Sequence, residues 1–256
     1  MTQPGLLRRT ARIFKQDGRS VIIAMDHTSF MPAPQPGLGD PAKLIREVVA
    51  GGADAVMMPA GSAAAAVDAV GEAGLVLSVN TAQPGLEKQL EAAIQLGADA
   101  IKCMLYPWKE EADGTGETSW LGAEARRWGM PLMVETVPGG FEAGAEFRTP
   151  ERIAAGARIG VELGATMIKT FYPGTPEGMR AVIEYTPVPV VILGGQKAED
   201  EKALLRSIKE AVDGGAHGVA IGRNIWQHPD PRRMAAAIAL IVHGGAGVDE
   251  AYRELV

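Results

Sequence analysis

Leu-Gly-Ala-Thr-Met-Ile-Lys, residues 163–169, is one of four copies of a short junction that decides the fold. The others are Gly-Gly-Ala-Asp-Ala-Val-Met (51–57), Leu-Gly-Ala-Asp-Ala-Ile-Lys (96–102) and Gly-Gly-Ala-His-Gly-Val-Ala (214–220). In each copy a glycine stands where a helix must end with a positive φ, and an apolar, strand-like run follows at once. The repeat therefore predicts a chain that alternates helices and strands.

Eight short strand-like runs recur along the chain, each followed by a helical stretch. The predicted strands are 20–26, 54–58, 75–79, 99–104, 131–136, 166–170, 188–193 and 218–222. The predicted helices lie near 40–50, 62–72, 86–96, 117–128, 149–163, 177–185, 199–213 and 231–242. Eight such units in a chain of this length predict a single (β/α)8 TIM barrel. Nothing in the composition marks a linker, so we expect one domain over residues 1–256.

Composition limits the classes of protein that remain. Hydrophobic residues make up 46% of the 256 and charged residues 22%, which excludes a disordered chain. No apolar run is long enough to span a membrane, and the first residues lack a secretory signal pattern. The single cysteine, Cys103, excludes a disulfide framework, and the net charge of −6 argues against nucleic-acid binding. We therefore expect a cytoplasmic protein without membrane or nucleic-acid partners.

Two lysines occupy matched places in the repeat. Barrel interiors are filled by layers of four side chains from alternate strands. The repeat assigns one such layer to Met57, Lys102, Lys169 and Ala220. One buried lysine is explained by a carboxylate partner or by extension toward solvent, but two at matched places favour catalysis. Like charge and burial lower a lysine pKa and leave the free amine that attacks a carbonyl group, although spacing does not tell which lysine is the nucleophile.

The loops after the seventh and eighth strands have the composition of an anion site. The first contains Gly194 and Gly195, and the second contains Gly222 and Arg223. Glycines let backbone N–H groups approach an anion, the following helix N-terminus adds positive potential, and arginine binds two oxygens at once. Glycine pairs are more often plain turns, but barrels commonly bind phosphate in these two loops. We therefore predict phosphate binding by these four residues.

Three further polar residues are candidates for proton transfer. Asp26 and His27 end the first strand, and Glu135 lies near the end of the fifth. Alternative explanations are a loop cap for Asp26 and an ion pair with Lys102 for Glu135. The histidines are dispersed and show no metal-ligand spacing, so we expect neither a metal nor another cofactor.

Four stretches resemble the archaeal-type class I fructose-bisphosphate aldolase family, which includes the enzyme that processes phosphorylated autoinducer-2. They are Ala-Met-Asp-His (24–27), Ile-Lys-Thr-Phe-Tyr (168–172), Pro-Val-Pro-Val-Val-Ile-Leu-Gly-Gly-Gln-Lys (187–197) and Gly-Val-Ala-Ile-Gly-Arg-Asn-Ile-Trp-Gln (218–227). The resemblance covers nearly the whole barrel and is strongest from 160 to 245. It implies a homo-oligomer that acts on a phosphorylated sugar or ketone, with Lys169 as the Schiff-base lysine.

One position departs from the family pattern. Family aldolases often carry an acid/base tyrosine after the fifth strand, where this chain has Val137. Glu135 is then the expected proton-transfer group, with Asp26 or Tyr172 as alternatives. The main hypothesis is a Schiff-base aldolase that cleaves or forms a C–C bond in a phosphorylated ketose. The departure favours an alternative, acyl transfer from a phosphorylated dione to coenzyme A. A barrel that only binds a phosphorylated ligand leaves the two lysines unexplained.

Overall fold

The computed structural model describes residues 3–81, 85–111 and 113–256, which contain a closed barrel of eight parallel strands. Each strand pairs with the next in chain order, and the eighth closes on the first. The strands are β1 (Ser20–Ala24), β2 (Ala55–Pro59), β3 (Gly74–Ser78), β4 (Ala100–Leu105), β5 (Leu132–Thr136), β6 (Met167–Thr170), β7 (Val190–Leu193) and β8 (Gly218–Ile221). The predicted TIM barrel is confirmed.

Helices surround this barrel and join its strands. In the described residues they are α1 (Pro4–Ile13), α2 (Pro41–Ala50), α3 (Ala60–Val70), α4 (Leu86–Gln95), α5 (Thr115–Trp128), α6 (Pro150–Glu162), α7 (Pro176–Tyr185), α8 (Glu201–Asp213), α9 (Arg223–Trp226), α10 (Pro231–Val242) and α11 (Val248–Tyr252). The sequence pattern missed α1, α9 and α11. None of the helices in these ranges has both the length and the apolar character that a membrane crossing needs.

Alternation along the strands divides the apolar residues into two cores. One fills the space between the barrel and the helices and includes Cys103, whose thiol pKa burial raises to about 11. The other fills the barrel interior and contains Ile13, Phe14, Ile22, Ala24, Ala55, Met57, Val76, Ala100, Met133, Met167, Val191 and Ala220. Ile13 and Phe14 come from the end of α1 and the residue after it. The first helix therefore contributes to the interior core.

The polar fourth residue of each repeat copy secures the amino-terminal end of the barrel. In every copy its side chain accepts a hydrogen bond from a backbone N–H of the preceding strand. The pairs are Val21 N to Asp54 (2.7 Å), Leu75 N to Asp99 (3.0 Å), Leu132 N to Thr166 (2.9 Å) and Val190 N to His217 Nδ1 (3.3 Å). Each copy of the repeat thus supplies a glycine turn and also a side chain that accepts a hydrogen bond from the start of the preceding, odd-numbered strand.

Candidate active site

A carboxylate links the two lysines at the carboxyl-terminal end of the barrel. Lys102 on β4, Glu135 on β5 and Lys169 on β6 are all at most 5% exposed. Glu135 Oε2 lies 2.7 Å from Lys102 Nζ and 3.0 Å from Lys169 Nζ. The three residues occur on adjacent strands, and Glu135 pairs in register with Lys169. One carboxylate oxygen therefore contacts both ammonium groups.

Asp26 extends this cluster from the end of β1. Its Oδ2 lies 3.1 Å from Lys102 Nζ and accepts a hydrogen bond of 2.8 Å from Ser78 Oγ on β3. Lys102 consequently contacts two carboxylates, whereas Lys169 contacts the carboxylate of Glu135. Lys102 is held from both sides, and Lys169 is the less constrained of the two amines.

The charges in this cluster determine its protonation. Burial by itself raises the pKa values of Asp26 and Glu135, but the ammonium groups of Lys102 and Lys169 lower both below their ordinary values. Burial alone lowers the pKa of Lys102, yet the two carboxylates raise it above its ordinary value. Lys102 is therefore protonated at neutral pH. At the same pH both carboxylates of the cluster are ionised.

His27 lies beside Asp26 and remains uncharged. Burial lowers the pKa of His27 to about 4, despite the opposing effect of Asp26. His27 Nδ1 is buried, lies 3.6 Å from Asp26 Oδ1 and has no hydrogen-bond partner among the residues that the structure describes. Its ring packs edge-on against Trp226, with ring centroids 5.5 Å apart. A neutral imidazole with a free ring nitrogen thus lies next to the charged cluster.

The glycine-rich loops meet at β7 and β8, close to His27. A Cβ at Gly222 would lie 2.5 Å from the carbonyl oxygen of Ala24 and 2.8 Å from His27 Cε1, so the site admits only glycine. Gly195 has a φ of +61°, which favours glycine. Arg223 Nε is buried, and no residue in the described part of the chain hydrogen-bonds to it. Burial lowers the pKa of this guanidinium. A cation with an unsatisfied donor is suited to an anionic ligand.

Asn224 holds these two loops together. Its Nδ2 donates to the carbonyl oxygens of Gly194 (2.9 Å) and Gln196 (3.1 Å), and its Oδ1 accepts from Ala198 N (2.7 Å). Asp200 caps the N-terminus of α8 by accepting from two of its backbone N–H groups. The one-turn helix α9 begins directly after Gly222, which provides no side-chain cap. The positive potential expected from these helices stays a prediction.

Residues 20–228 match the family model described as DeoC/LacD family aldolase. The chain belongs to this family. It is 34% identical to 2-amino-3,7-dideoxy-D-threo-hept-6-ulosonate synthase of Halobacterium salinarum, over 98% of this chain and 96% of the relative. It is 32% identical to the class 1 fructose-bisphosphate aldolase of Thermoproteus tenax, over 96% and 97% of the two chains.

A solved structure adds chemical detail about these relatives. It shows an archaeal fructose-1,6-bisphosphate aldolase whose catalytic lysine is covalently bound to the carbinolamine intermediate of the substrate. The present chain and that archaeal enzyme are 31% identical, and their structures superpose with a TM-score of 0.78. The match covers 93% of the present chain and 99% of the archaeal one. The homologues are thus class I aldolases, which are lyases, and the predicted class of a Schiff-base aldolase is confirmed.

Most of the predicted site residues of this aldolase lie together. Asp26, Lys102, Glu135 and Lys169 form one network, and His27 adjoins it. The alternative Tyr172 does not reach the network, because its hydroxyl donates to Glu210 Oε2 (3.0 Å) on α8 and its ring packs on the outer core.

Sequence reasoning missed three positioning residues of this aldolase. Ser78 donates to Asp26, Asn224 joins the two loops, and Trp226 Nε1 donates to the carbonyl oxygen of Ala24 (3.1 Å). The sequence signal for Ser78 is the alternation of side chains along β3, which turns Ser78 to the same face as the interior residue Val76. Asn224 and Trp226 were visible only as members of the Gly-Arg-Asn-Ile-Trp-Gln stretch.

Proposed function

We propose that Lys169 is the Schiff-base lysine of this aldolase and that its substrate is a phosphorylated ketose. The observation that supports this most strongly is the 3.0 Å contact between Lys169 Nζ and Glu135 Oε2. Glu135 is ionised, its carboxylate directly contacts the Lys169 ammonium, and we assign it as the proton acceptor. Lys102 is bonded to two carboxylates and serves to orient them.

Imine formation follows from this contact with protons in balance. Lys169 transfers one proton to Glu135, and the free amine attacks the carbonyl carbon of the ketone. A proton shift from nitrogen to oxygen gives the carbinolamine. Glu135 then returns its proton to the departing hydroxyl, which leaves as water, and the iminium remains on Lys169. The iminium accepts the electron pair when the neighbouring C–C bond breaks, and the Asp26 carboxylate is a second proton acceptor in the same cavity.

The substrate phosphate is assigned to the loops after β7 and β8. Arg223 has a buried donor without a partner among the described residues, and Gly194, Gly195 and Gly222 lie in the same two loops, where a Cβ at Gly194 or Gly222 would collide with its neighbours. We propose that these four residues bind the phosphate of a ketone similar to dihydroxyacetone phosphate. His27 lies between these loops and Asp26, so we assign it to the substrate cavity.

Hydrogen exchange in dihydroxyacetone phosphate tests this assignment. In D2O the parent enzyme should exchange the C3 hydrogen, since the iminium makes that hydrogen acidic, and NMR follows the loss of its signal. Lys169→Ala should abolish the exchange, while Lys88→Ala should leave it unchanged because Lys88 is exposed on α4. Exchange at the parent rate in a folded Lys169→Ala variant would exclude Lys169 as the nucleophile.

Val137 favours the acyl-transfer alternative enough to test it separately. It is fully buried and follows β5, so an acid/base side chain is lacking at that place. Under this alternative the imine of a phosphorylated dione is cleaved and the acetyl group passes to coenzyme A. Formation of acetyl-coenzyme A would support it over aldol cleavage.

We further propose a cytoplasmic homo-oligomer. Cys103 is a free, buried thiol, which suits a reducing compartment. The family resemblance supports the oligomer. Cell fractionation and light scattering coupled to size-exclusion chromatography test the two proposals.

A further inference from the structure

Formation of a C–C bond in this site requires a proton donor for the hydroxyl group that is formed. Attack on an aldehyde leaves an alkoxide, which must gain a proton. Asp26 and Glu135 are both ionised, because their pKa values are lowered. Ser78 already donates to Asp26, and the ammonium of Lys102 is shared between two carboxylates. A neutral hydroxyl beside this network would supply the proton without changing the charge of its resting state.

Tyr106 directly follows β4 at the carboxyl-terminal end of the barrel. Ala100 lies in the interior core of the barrel and Leu105 in the outer core, so alternation turns Tyr106 toward the interior above Lys102. Leu105 pairs in register with Thr136, and Val137 N donates to the carbonyl oxygen of Leu105 (2.9 Å). Tyr106 is therefore level with Val137 on the adjacent strand, about 4.8 Å away between backbones.

The surroundings of Tyr106 fix its ring and leave its hydroxyl available. The ring packs edge-on against Phe141, with centroids 6.4 Å apart, and Lys109 Nζ lies 5.0 Å from the ring centroid. Within the described ranges, no side chain or backbone group hydrogen-bonds to the hydroxyl. Burial raises the pKa of Tyr106, while the nearby charge of Lys102 opposes the rise, so the hydroxyl keeps its proton at neutral pH.

We propose that Tyr106 is the acid/base residue of the C–C bond step. In condensation, the electron pair of the Lys169 enamine forms the new C–C bond and the nitrogen lone pair restores the iminium. The carbonyl π electrons of the aldehyde move to its oxygen, which takes the proton of the Tyr106 hydroxyl. The phenolate then regains a proton through solvent, which carries the C3 proton that was removed when the enamine formed. In cleavage the steps reverse: the Tyr106 hydroxyl first gives its proton to solvent, and the phenolate accepts the proton of the substrate hydroxyl as the C–C bond breaks.

This inference rests on the proposed imine at Lys169, so its test separates the two steps. The parent enzyme, Tyr106→Phe and Tyr185→Phe are compared in three assays with dihydroxyacetone phosphate. These are borohydride trapping, C3 hydrogen exchange in D2O, and condensation with whichever of glyceraldehyde 3-phosphate, glyceraldehyde, glycolaldehyde or propanal the parent uses fastest. Tyr185 is exposed on α7, so its phenylalanine variant is the matched control.

Tyr106→Phe should slow condensation by roughly 10²–10⁴-fold, mainly in kcat, and leave trapping and exchange within about twofold. Tyr185→Phe should match the parent in all three assays. Condensation by Tyr106→Phe at the parent rate would overturn the proposal, as would an equal loss in all three assays. It is also overturned if the parent traps and exchanges dihydroxyacetone phosphate but condenses it with none of these aldehydes. A parent that neither traps nor exchanges it would instead refute the imine step itself.

Discussion

At the amino-terminal end of the barrel, buried carboxylates accept hydrogen bonds from backbone N–H groups, whereas at the carboxyl-terminal end they accept from lysine and serine side chains. Asp54 and Asp99 each bond the backbone of a preceding strand. Asp26 and Glu135 instead bond Lys102, which adjoins Lys169 through Glu135. Asp54 and Asp99 therefore hold the strands in place, whereas Asp26 and Glu135 surround the amine of Lys102.

This difference indicates that the buried carboxylates at the amino-terminal end stabilise the fold, whereas those at the carboxyl-terminal end take part in the reaction. Loss of a carboxylate at the amino-terminal end leaves a buried backbone donor unpaired, which destabilises the fold. Loss of a carboxylate at the other end leaves buried ammonium groups without a full set of partners and removes a proton acceptor. Substitutions at the amino-terminal end should therefore change stability but not turnover, whereas those at the carboxyl-terminal end should change turnover as well.

The largest effect is expected for Glu135→Gln. Glutamine keeps the size of the side chain but accepts no proton from Lys169, so turnover should fall by roughly 10²–10⁴-fold. Steady-state kinetics measures this, with the exposed Glu72→Gln as control and circular dichroism to confirm folding. Turnover at the parent rate would reduce Glu135 to a structural partner of Lys102.

A smaller effect, a loss of binding affinity, is expected for Arg223→Ala. The size of this loss should depend on whether the ligand carries a phosphate. Loss of a charge-assisted hydrogen bond weakens binding by about 1.5–3 kcal/mol, or roughly tenfold to over a hundredfold. Calorimetric titration should show this loss for dihydroxyacetone phosphate but not for dihydroxyacetone. Equal losses for both ligands would make Arg223 a structural residue.

At the amino-terminal end, Asp99→Ala should lower stability without changing kcat. The variant leaves Leu75 N–H unpaired and removes the partner of Arg12, whose Nε lies 3.0 Å from Asp99 Oδ1. The free energy of unfolding, measured with urea, should fall by about 1–3 kcal/mol. Asp99→Asn keeps an acceptor oxygen and should lose less, and the exposed Asp68→Asn should lose nothing measurable. An unchanged free energy in Asp99→Ala would contradict the comparison of the two ends.

The smallest effect concerns pH and His243. Hydrogen bonds to Asp54 (2.8 Å) and Asp17 (2.7 Å) raise the pKa of His243 above its ordinary value, against the effect of burial. Its contribution to stability is therefore complete below about pH 6.5 and is lost as pH rises through the raised pKa. Solvent screening keeps this contribution below about 1 kcal/mol. Urea unfolding of the parent and His243→Gln from pH 6 to 9 should converge as pH rises, and a constant difference would refute the coupling.

The fold was predictable because its signals are local. The glycine turns of the repeat and the alternation of apolar residues depend on neighbours in sequence, and they also placed Lys102 and Lys169 inside the barrel. The contact of Glu135 with both lysines depends on the register of three strands, which sequence spacing does not encode. Asn224 and Tyr106 act across loops or strands that are distant in sequence. The cap formed by Asp200 competes with an anion for the same helix N-terminus, which composition alone does not resolve.

The central claim is that Lys169, and not Lys102, forms the imine. The most direct measurement is borohydride reduction of the parent enzyme with dihydroxyacetone phosphate, followed by digestion and mass spectrometry of the labelled peptide. The account predicts one adduct, on Lys169, because Lys102 is held by two carboxylates and keeps its proton. An adduct on Lys102 would contradict the assignment and exchange the roles of the two lysines.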